Sequence, residues 1–366
     1  MAHKAHVSIP HWSWIAPGVG GVLIALAFAG VVAGGSGLVS AVAAILLAAA
    51  VFAAVHHAEV LAVRVGEPFG SIILAVAVTV IEVALIVSIM LSDASGTAVV
   101  ARDTVFSAVM IVLNAVIGLC LVFGGQRHGE QSFQIEAASA GLAVLGTLAI
   151  MTMVLPNFVR GGAEGGLAPV QLVVVGFVCL ALYAVFVFVQ TVRHRDYFLD
   201  LADTNDADAD EPPPSNGVTL ASAILLPLSL TAVILLAKLL SYPLEKAVHA
   251  AHLPQAVVGV VIAAVVLLPE GIASVRLALL NRLQSSVNLV LGSALASIGM
   301  TIPVVAAISV LMHRELTLGL IGKDVVLLLL TLFVSTITLG TGRTTVLQGA
   351  VHLGIFAVFI LLSAMP

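Results

Sequence analysis

Long apolar runs recur along almost the whole chain, and this constrains the fold more than any other feature. A helix needs roughly 20 consecutive apolar residues to cross a bilayer. Eleven such spans can be read: Gly18 to Gly34, Gly37 to Val55, Gly70 to Leu91, Thr104 to Gly124, Ala137 to Leu155, Pro169 to Val192, Val218 to Leu240, Pro254 to Leu280, Val287 to Met312, Asp324 to Leu339 and Thr344 to Ala364. Charged residues make up 9% of the chain and hydrophobic ones 61%. Soluble domains carry about 25% charged residues, so this surface cannot all face water. The expected fold is an all-α polytopic membrane protein, because helices satisfy their backbone polar groups internally within lipid.

Other classes drop out on composition. The two cysteines, Cys120 and Cys179, both lie in apolar runs and read as packing residues. A disulfide framework needs more of them in a short secreted chain. No basic patch suggests nucleic acid. The segment from Met1 to Pro17 lacks a small-residue cleavage site after a short apolar core, so it does not read as a signal peptide. Trp12 and Trp14 are expected at a membrane interface.

The sharpest composition shift follows the sixth span. Asp196, Asp200, Asp203, Asp206, Asp208, Asp210 and Glu211 precede Pro212, Pro213 and Pro214. Such a segment has almost nothing to bury and is expected as a solvated linker, either a simple tether or a regulatory, cation-collecting element. The expected organisation is an N-terminal segment with the first helix (1–36), a five-helix repeat (37–193), the linker (194–217) and a second five-helix repeat (218–366). With the N-terminus inside, the inner side holds Lys4, Arg64, Arg127, Arg193, Arg195, Arg276, Arg282 and Arg343. The outer side holds Arg102, Arg160, Lys238, Lys246, Arg314 and Lys323. The positive-inside rule then slightly favours a cytoplasmic N-terminus and linker.

Two carboxyls stand out because they lie inside spans. Glu82 falls in Val78-Thr79-Val80-Ile81-Glu82-Val83, and Glu270 in Val266-Leu267-Leu268-Pro269-Glu270-Gly271. An ionisable residue at a helix centre costs roughly 2.5–3.5 kcal/mol on insertion scales, so both read as functional groups facing a protein or water cavity. The alternative is a structural carboxyl, protonated or hydrogen-bonded between helices. The surroundings of the two match. Each sits well into a span that follows a polar loop. A charged loop then leads to a span opening with Ser-Ala, Ser107-Ala108 in one copy and Ser293-Ala294 in the other. Five spans per copy would invert the second relative to the first, and inverted repeats with a midplane site are a transporter architecture.

Oxygen donors accompany the glutamates. Pro269 removes a backbone donor and leaves one carbonyl of its helix without its usual partner. Thr79, Ser107, Asn114, Ser293 and Ser297 carry neutral oxygens in the spans, the ligand type that hard cations take. Any one hydroxyl could equally bond its own helix backbone.

These residues resemble the calcium/cation antiporter superfamily, and within it the cation/proton exchanger branch, closest to the bacterial ChaA-type calcium (sodium, potassium)/proton antiporters. The likeness runs from about Val51 to the C-terminus. Ala58-Glu59-Val60-Leu61-Ala62, Gly66, Gly70 and Glu82 look like the first α-repeat of the family. Glu270, Asn281-Arg282-Leu283, Leu291-Gly292-Ser293-Ala294 and Pro303 look like the second. Gly342-Arg343 with Gly349 looks like its last-span signature, and Gly66-Glu67-Pro68-Phe69-Gly70 like a ChaA-type step. The family's Gly-Asn before the first glutamate is Val78-Thr79 here, and its Gly-Asn-Ala-Ala before the second is Val266-Leu267-Leu268-Pro269. A glutamine of the family is replaced near Ala296. The loss of these groups implies a looser site, for calcium, sodium or potassium. Glu67, near a span mouth, is an entry or gating residue or else a surface charge.

The resemblance implies exchange of inorganic cations for protons across a bacterial inner membrane, with Glu82 and Glu270 binding either. No cofactor is expected beyond the transported ions, and the partners are those ions and the lipid bilayer. Two rival readings stand beside it. One is a membrane metalloenzyme using His56, His57, Glu59 and His352, although no HExxH pattern exists. The other is a passive cation channel.

Overall fold

The structure, a computed structural model, describes residues 9–32, 36–66, 69–90, 97–159, 165–199 and 214–365. Eleven helices fill almost all of this: α1 (Trp12–Phe28), α2 (Gly37–Val65), α3 (Phe69–Met90), α4 (Val100–His128), α5 (Ile135–Phe158), α6 (Pro169–Arg193), α7 (Asn216–Ala250), α8 (Ala256–Leu279), α9 (Leu283–Leu311), α10 (Gly322–Leu339) and α11 (Val346–Ala364). Ten of them are long and apolar enough to cross a membrane, and α1, with 17 residues, is shorter. The chain is an all-helical integral membrane protein.

Most helices begin and end within a few residues of the runs read from sequence. The first does not. It starts at Trp12, so both tryptophans lie within it, and it stops at Phe28. The stop is a Schellman turn: Gly30 takes φ +71°, Val31 N–H donates to Leu26 O at 3.0 Å and Gly30 N–H to Ala27 O at 3.1 Å. That pattern satisfies carbonyls which a helix end leaves open. Asn281 closes α8 in the same way, with φ +62° and Arg282 N–H donating to Leu277 O at 2.9 Å. Helices α2 and α7 overrun their apolar cores by about a turn or more, carrying Arg64 and Lys246 on helical backbone.

Two compact units divide the chain, Met1–Asp93 with Asn205–Ala247, and Ala94–Thr204 with Val248–Pro366. The first is built from α1, α2, α3 and most of α7, the second from α4, α5, α6, α8, α9, α10 and α11. The units therefore take helices from both halves of the sequence, whereas the expected repeats divide it at the linker. Repeats relate segments by ancestry; compact units group them by packing.

In the first unit, α2 is the hub. His57 is fully buried and spans two neighbours: Nε2 lies 3.2 Å from Ser13 O of α1, and Nδ1 lies 3.2 Å from Ser222 Oγ of α7. Gly20 of α1 packs against Leu236 of α7.

In the second unit, α4 is the most enclosed helix. Its central stretch is 83% buried, against 22% for α6 and for α11, so polar groups on α4 must find partners within protein. Glycines set its neighbours. A Cβ on Gly259 of α8 would stand 2.7 Å from the carbonyl carbon of Asp103, so only glycine permits this crossing. On the opposite flank Gly118 of α4 and Gly349 of α11 meet backbone to backbone, a Cβ on Gly349 falling 2.8 Å from Gly118 O. A two-residue ribbon, β1 (Gln131–Ser132) with β2 (Arg343–Thr344), ties the α4–α5 loop to the α10–α11 loop.

Four helices contain π-helical turns: Ile111–Val116 in α4, Ile150–Val154 in α5, Val189–Arg193 in α6 and Ser297–Thr301 in α9. Such turns are rare and concentrate at functional sites. The alignment that lays Ser107-Ala108 on Ser293-Ala294 also lays Ile111 on Ser297, so the π turns of α4 and α9 begin at matching positions.

Candidate ion-binding site

Helix α8 carries a clean inward stripe. Val266, Leu267, Pro269, Glu270, Ser274 and Ala278 are buried, while Val261, Leu268 and Ile272 are exposed on the outward side. Helical periodicity therefore puts Glu270 on a protein-facing side although its chain neighbours are apolar. The Glu270 side chain lines a small cavity of about 10 Å³ with Val112 and Val116 of α4, Leu267, Gly271 and Ser274 of α8, and Val290 and Ser293 of α9.

Two further oxygens enter that cavity. The hydroxyls of Ser274 and Ser293 are buried and have no hydrogen-bond partner among the described residues. An unpaired buried hydroxyl costs free energy unless something fills the role. Three oxygen-bearing side chains around one small void make a donor set suited to a hard cation. One turn earlier, Pro269 leaves the Val265 carbonyl without the N–H it would accept in an unbroken helix. Ser293 was among the donors expected from sequence. Ser274 was not, although its place four residues after Glu270, on the same helical face, is a legible signal.

Glu82 is 2% exposed on α3, in the first unit, among Val78, Ile81, Leu85 and Ile86, with Thr79 buried one turn before it. Val76 and Val80, on the other side of the helix, are exposed. Both glutamates therefore lie on the buried faces of their helices.

The remaining candidates separate. The Ser107 hydroxyl donates to Asp103 O at 2.6 Å within α4, the local bond that sequence reasoning left open. It also borders a larger void, about 100 Å³, lined by Arg102, Asp103, Lys323 and Asp324. Arg102 Nε donates to Asp103 Oδ1 at 2.8 Å there. Ser297 is buried in the π turn of α9. Asn114 is fully buried in the π turn of α4 but does not line the Glu270 cavity. Its Nδ2 donates to Thr331 Oγ1 at 3.0 Å, and its Oδ1 lies 3.3 Å from His352 Nδ1. Glu67 and most of the acidic linker, residues 200–213, lie outside the described residues.

Among the described residues no three His, Cys, Asp or Glu side chains gather as a metal centre. His57 is committed to Ser13 and Ser222, and the His56 ring packs tilted against Trp12, centroids 5.5 Å apart.

The fold is that of a many-helix membrane protein with two carboxyls, Glu82 and Glu270, buried on its helices. The sequence matches the model of the sodium/calcium exchanger protein family over residues 35–192 and 221–365, and the chain belongs to that family. It is 65% identical over 366 residues to y4hA of Sinorhizobium fredii, named as an ionic transporter, covering 100% of this chain and 99% of that one. It is 36% identical over 320 residues to the sodium-potassium/proton antiporter ChaA of Escherichia coli, covering 85% and 84%. Among solved structures, native YfkE superposes with a TM-score of 0.75 at 16% identity, covering 97% of this chain and 100% of that one. The H⁺/Ca²⁺ exchanger CAX gives 0.67 at 12% identity, covering 96% and 89%. These likenesses establish the fold. The curated relatives are named as an ionic transporter and as antiporters, not as enzymes.

Proposed function

We propose that this protein exchanges cations, calcium or sodium and potassium, for protons by alternating access, with Glu82 and Glu270 as the groups that take cation or proton in turn. The observation that supports this most directly is the Glu270 cavity, where a carboxyl and two hydroxyls without a hydrogen-bond partner among the described residues line one small void. The names of relatives support the same direction, since ChaA is a sodium-potassium/proton antiporter and another relative, at 24% identity, is a Ca(2+)/H(+) antiporter.

The mechanism follows from electrostatics. A low-dielectric surrounding disfavours the ionised form of a carboxyl, so an empty site holds protons. An entering cation displaces them and compensates the carboxylates. A site neutralised by either route can change its exposure from one face to the other. An empty, ionised pair cannot, because uncompensated charges within the membrane are expensive. That forbidden step couples the two fluxes and separates an exchanger from a channel. The replacement of the family's Gly-Asn by Val78-Thr79 and of its Gly-Asn-Ala-Ala by Val266-Leu267-Leu268-Pro269 leaves fewer strong neutral ligands and favours a looser site, for calcium, sodium or potassium.

We place the protein in a bacterial inner membrane with the N-terminus and acidic linker cytoplasmic, and read residues 37–193 and 218–366 as inverted repeats. The matching π turns of α4 and α9 support the repeat. The test is proton release from everted vesicles on adding potassium, sodium, calcium or magnesium across a pH series. Release driven by at least one of these, and stronger at higher pH, is expected. Cation flux indifferent to a proton gradient would sink the reading in favour of a channel.

A further inference from the structure

Within the second unit a chain of buried polar groups runs from α10 through α4 to α11 and on to the end of α10. Asn114, Thr331 and His352 are wholly buried, and Thr338 is 3% exposed. Asn114 Nδ2 donates to Thr331 Oγ1 at 3.0 Å, which leaves Asn114 Oδ1, an acceptor only, facing His352 Nδ1 at 3.3 Å. That ring nitrogen must therefore carry the proton. His352 Nε2 is then an acceptor, and the Thr338 hydroxyl, 3.2 Å away, donates to it. Thr331 Oγ1 in turn donates to Met110 Sδ at 3.4 Å. Every donor in the chain meets an acceptor when the imidazole is neutral and in its Nδ1–H tautomer.

The location gives this network a consequence. Asn114 lies inside the π turn Ile111–Val116, and the same turn supplies Val112 and Val116 to the wall of the Glu270 cavity. A π turn departs from regular helix and is rare outside functional sites, and here side chains of α10 and α11 bond to its Asn114. The backbone contact of Gly118 with Gly349 brings α11 against α4 one turn from Asn114 and one turn from His352, so the two side chains meet at the π turn.

We propose that His352 is a positioning residue for cation binding: through Asn114 it fixes the π turn of α4 and so the wall of the Glu270 cavity. The proposal rests on Glu270 being an exchange site. Removing the His352 bonds lets Val112 and Val116 shift against the cavity. The cation then binds more weakly, while the carboxyl chemistry stays intact.

The experiment compares wild type with His352→Leu, His352→Gln, Asn114→Leu, the Asn114→Leu/His352→Leu pair and Glu270→Gln, in everted vesicles with potassium, sodium or calcium as the added ion. Rates are normalised to folded protein by gel-filtration recovery. His352→Leu is expected to weaken apparent cation affinity about 5- to 10-fold, the scale of one lost buried hydrogen bond, with maximal rate within about twofold of wild type. His352→Gln, which keeps a donor and an acceptor, should recover most of that affinity. The double variant should be no weaker than the worse single one, because both break the same link. A His352→Leu protein with wild-type affinity, or one whose only defect is reduced recovery, overturns the positioning role. Glu270→Gln separates the two claims. If it abolishes exchange while His352→Leu changes nothing, the positioning role fails alone; if it exchanges at full rate, the site itself is wrong and the positioning role falls with it.

Discussion

Ser274 stands one helical turn beyond Glu270 on α8, and the two side chains face the same void, which Ser293 closes from α9. The Ser274 and Ser293 hydroxyls have no hydrogen-bond partner among the described residues, and a buried hydroxyl without one costs free energy. Ser274→Ala and Ser293→Ala are expected to leave thermal stability unchanged or slightly raised in the absence of cation. Each should weaken apparent cation affinity by about 2- to 10-fold, on the order of 0.5–1.5 kcal/mol for one neutral oxygen contact. Unfolding curves with and without added cation, set beside transport kinetics, check both halves. A stability loss with unchanged affinity would mark the hydroxyls as structural.

The glycine crossing makes a second, purely structural prediction. Gly349→Val would drive a branched side chain into the Gly118 carbonyl and the Val122 N–H, each 2.8 Å from the position of a Cβ. Backbone cannot yield as a flexible side chain does. A cost of about 1–3 kcal/mol is expected, visible as a lower melting temperature of the purified protein. Gly354→Val, on the same helix with open space around its Cβ, is the control and should be near neutral.

His57 tests the metal reading from the other side. Its two ring nitrogens reach Ser13 O and Ser222 Oγ, joining α1 and α7 to α2. His57→Leu is expected to destabilise the protein by about 1–3 kcal/mol, since the buried partners lose their bonds. Metal analysis of the purified wild type should find no stoichiometric zinc. Bound zinc that His57→Leu removes would revive the enzyme alternative.

Competition between proton and cation fixes the sign of the pH dependence. Protons are removed from the carboxyls as pH rises, so apparent cation affinity should increase with pH and then level off. Below that plateau each displaced proton contributes about one decade of affinity per pH unit. Measured affinities that stay flat through the acid range would exclude a shared site.

Much of the fold could be read from the chain because lipid imposes one rule on every span. The runs Pro169 to Val192 and Asp324 to Leu339 became helices almost as delimited, the second starting two residues earlier at Gly322, since hydrophobic length alone sets them. The first span slipped because its end is set by the Gly30 turn, a local backbone device inside a uniformly apolar stretch. At the site, Glu270 and Ser293 were legible as polar groups in costly places, and the structure brings them to one cavity. Asn114 was equally legible as a polar residue, but its partner was not. Its bonds to Thr331 and His352 depend on where Gly118 and Gly349 let two distant helices touch, and no local pattern encodes that. The π turns are invisible to a reading at fixed helical period for the same reason.

Replacement of each glutamate by glutamine is the most direct measurement of the central claim. Glutamine keeps size and oxygen but can neither ionise nor release a proton. In everted vesicles, Glu82→Gln and Glu270→Gln should each abolish cation-driven proton release while the protein still inserts and survives purification. Proton release at the wild-type rate from either variant would contradict the account.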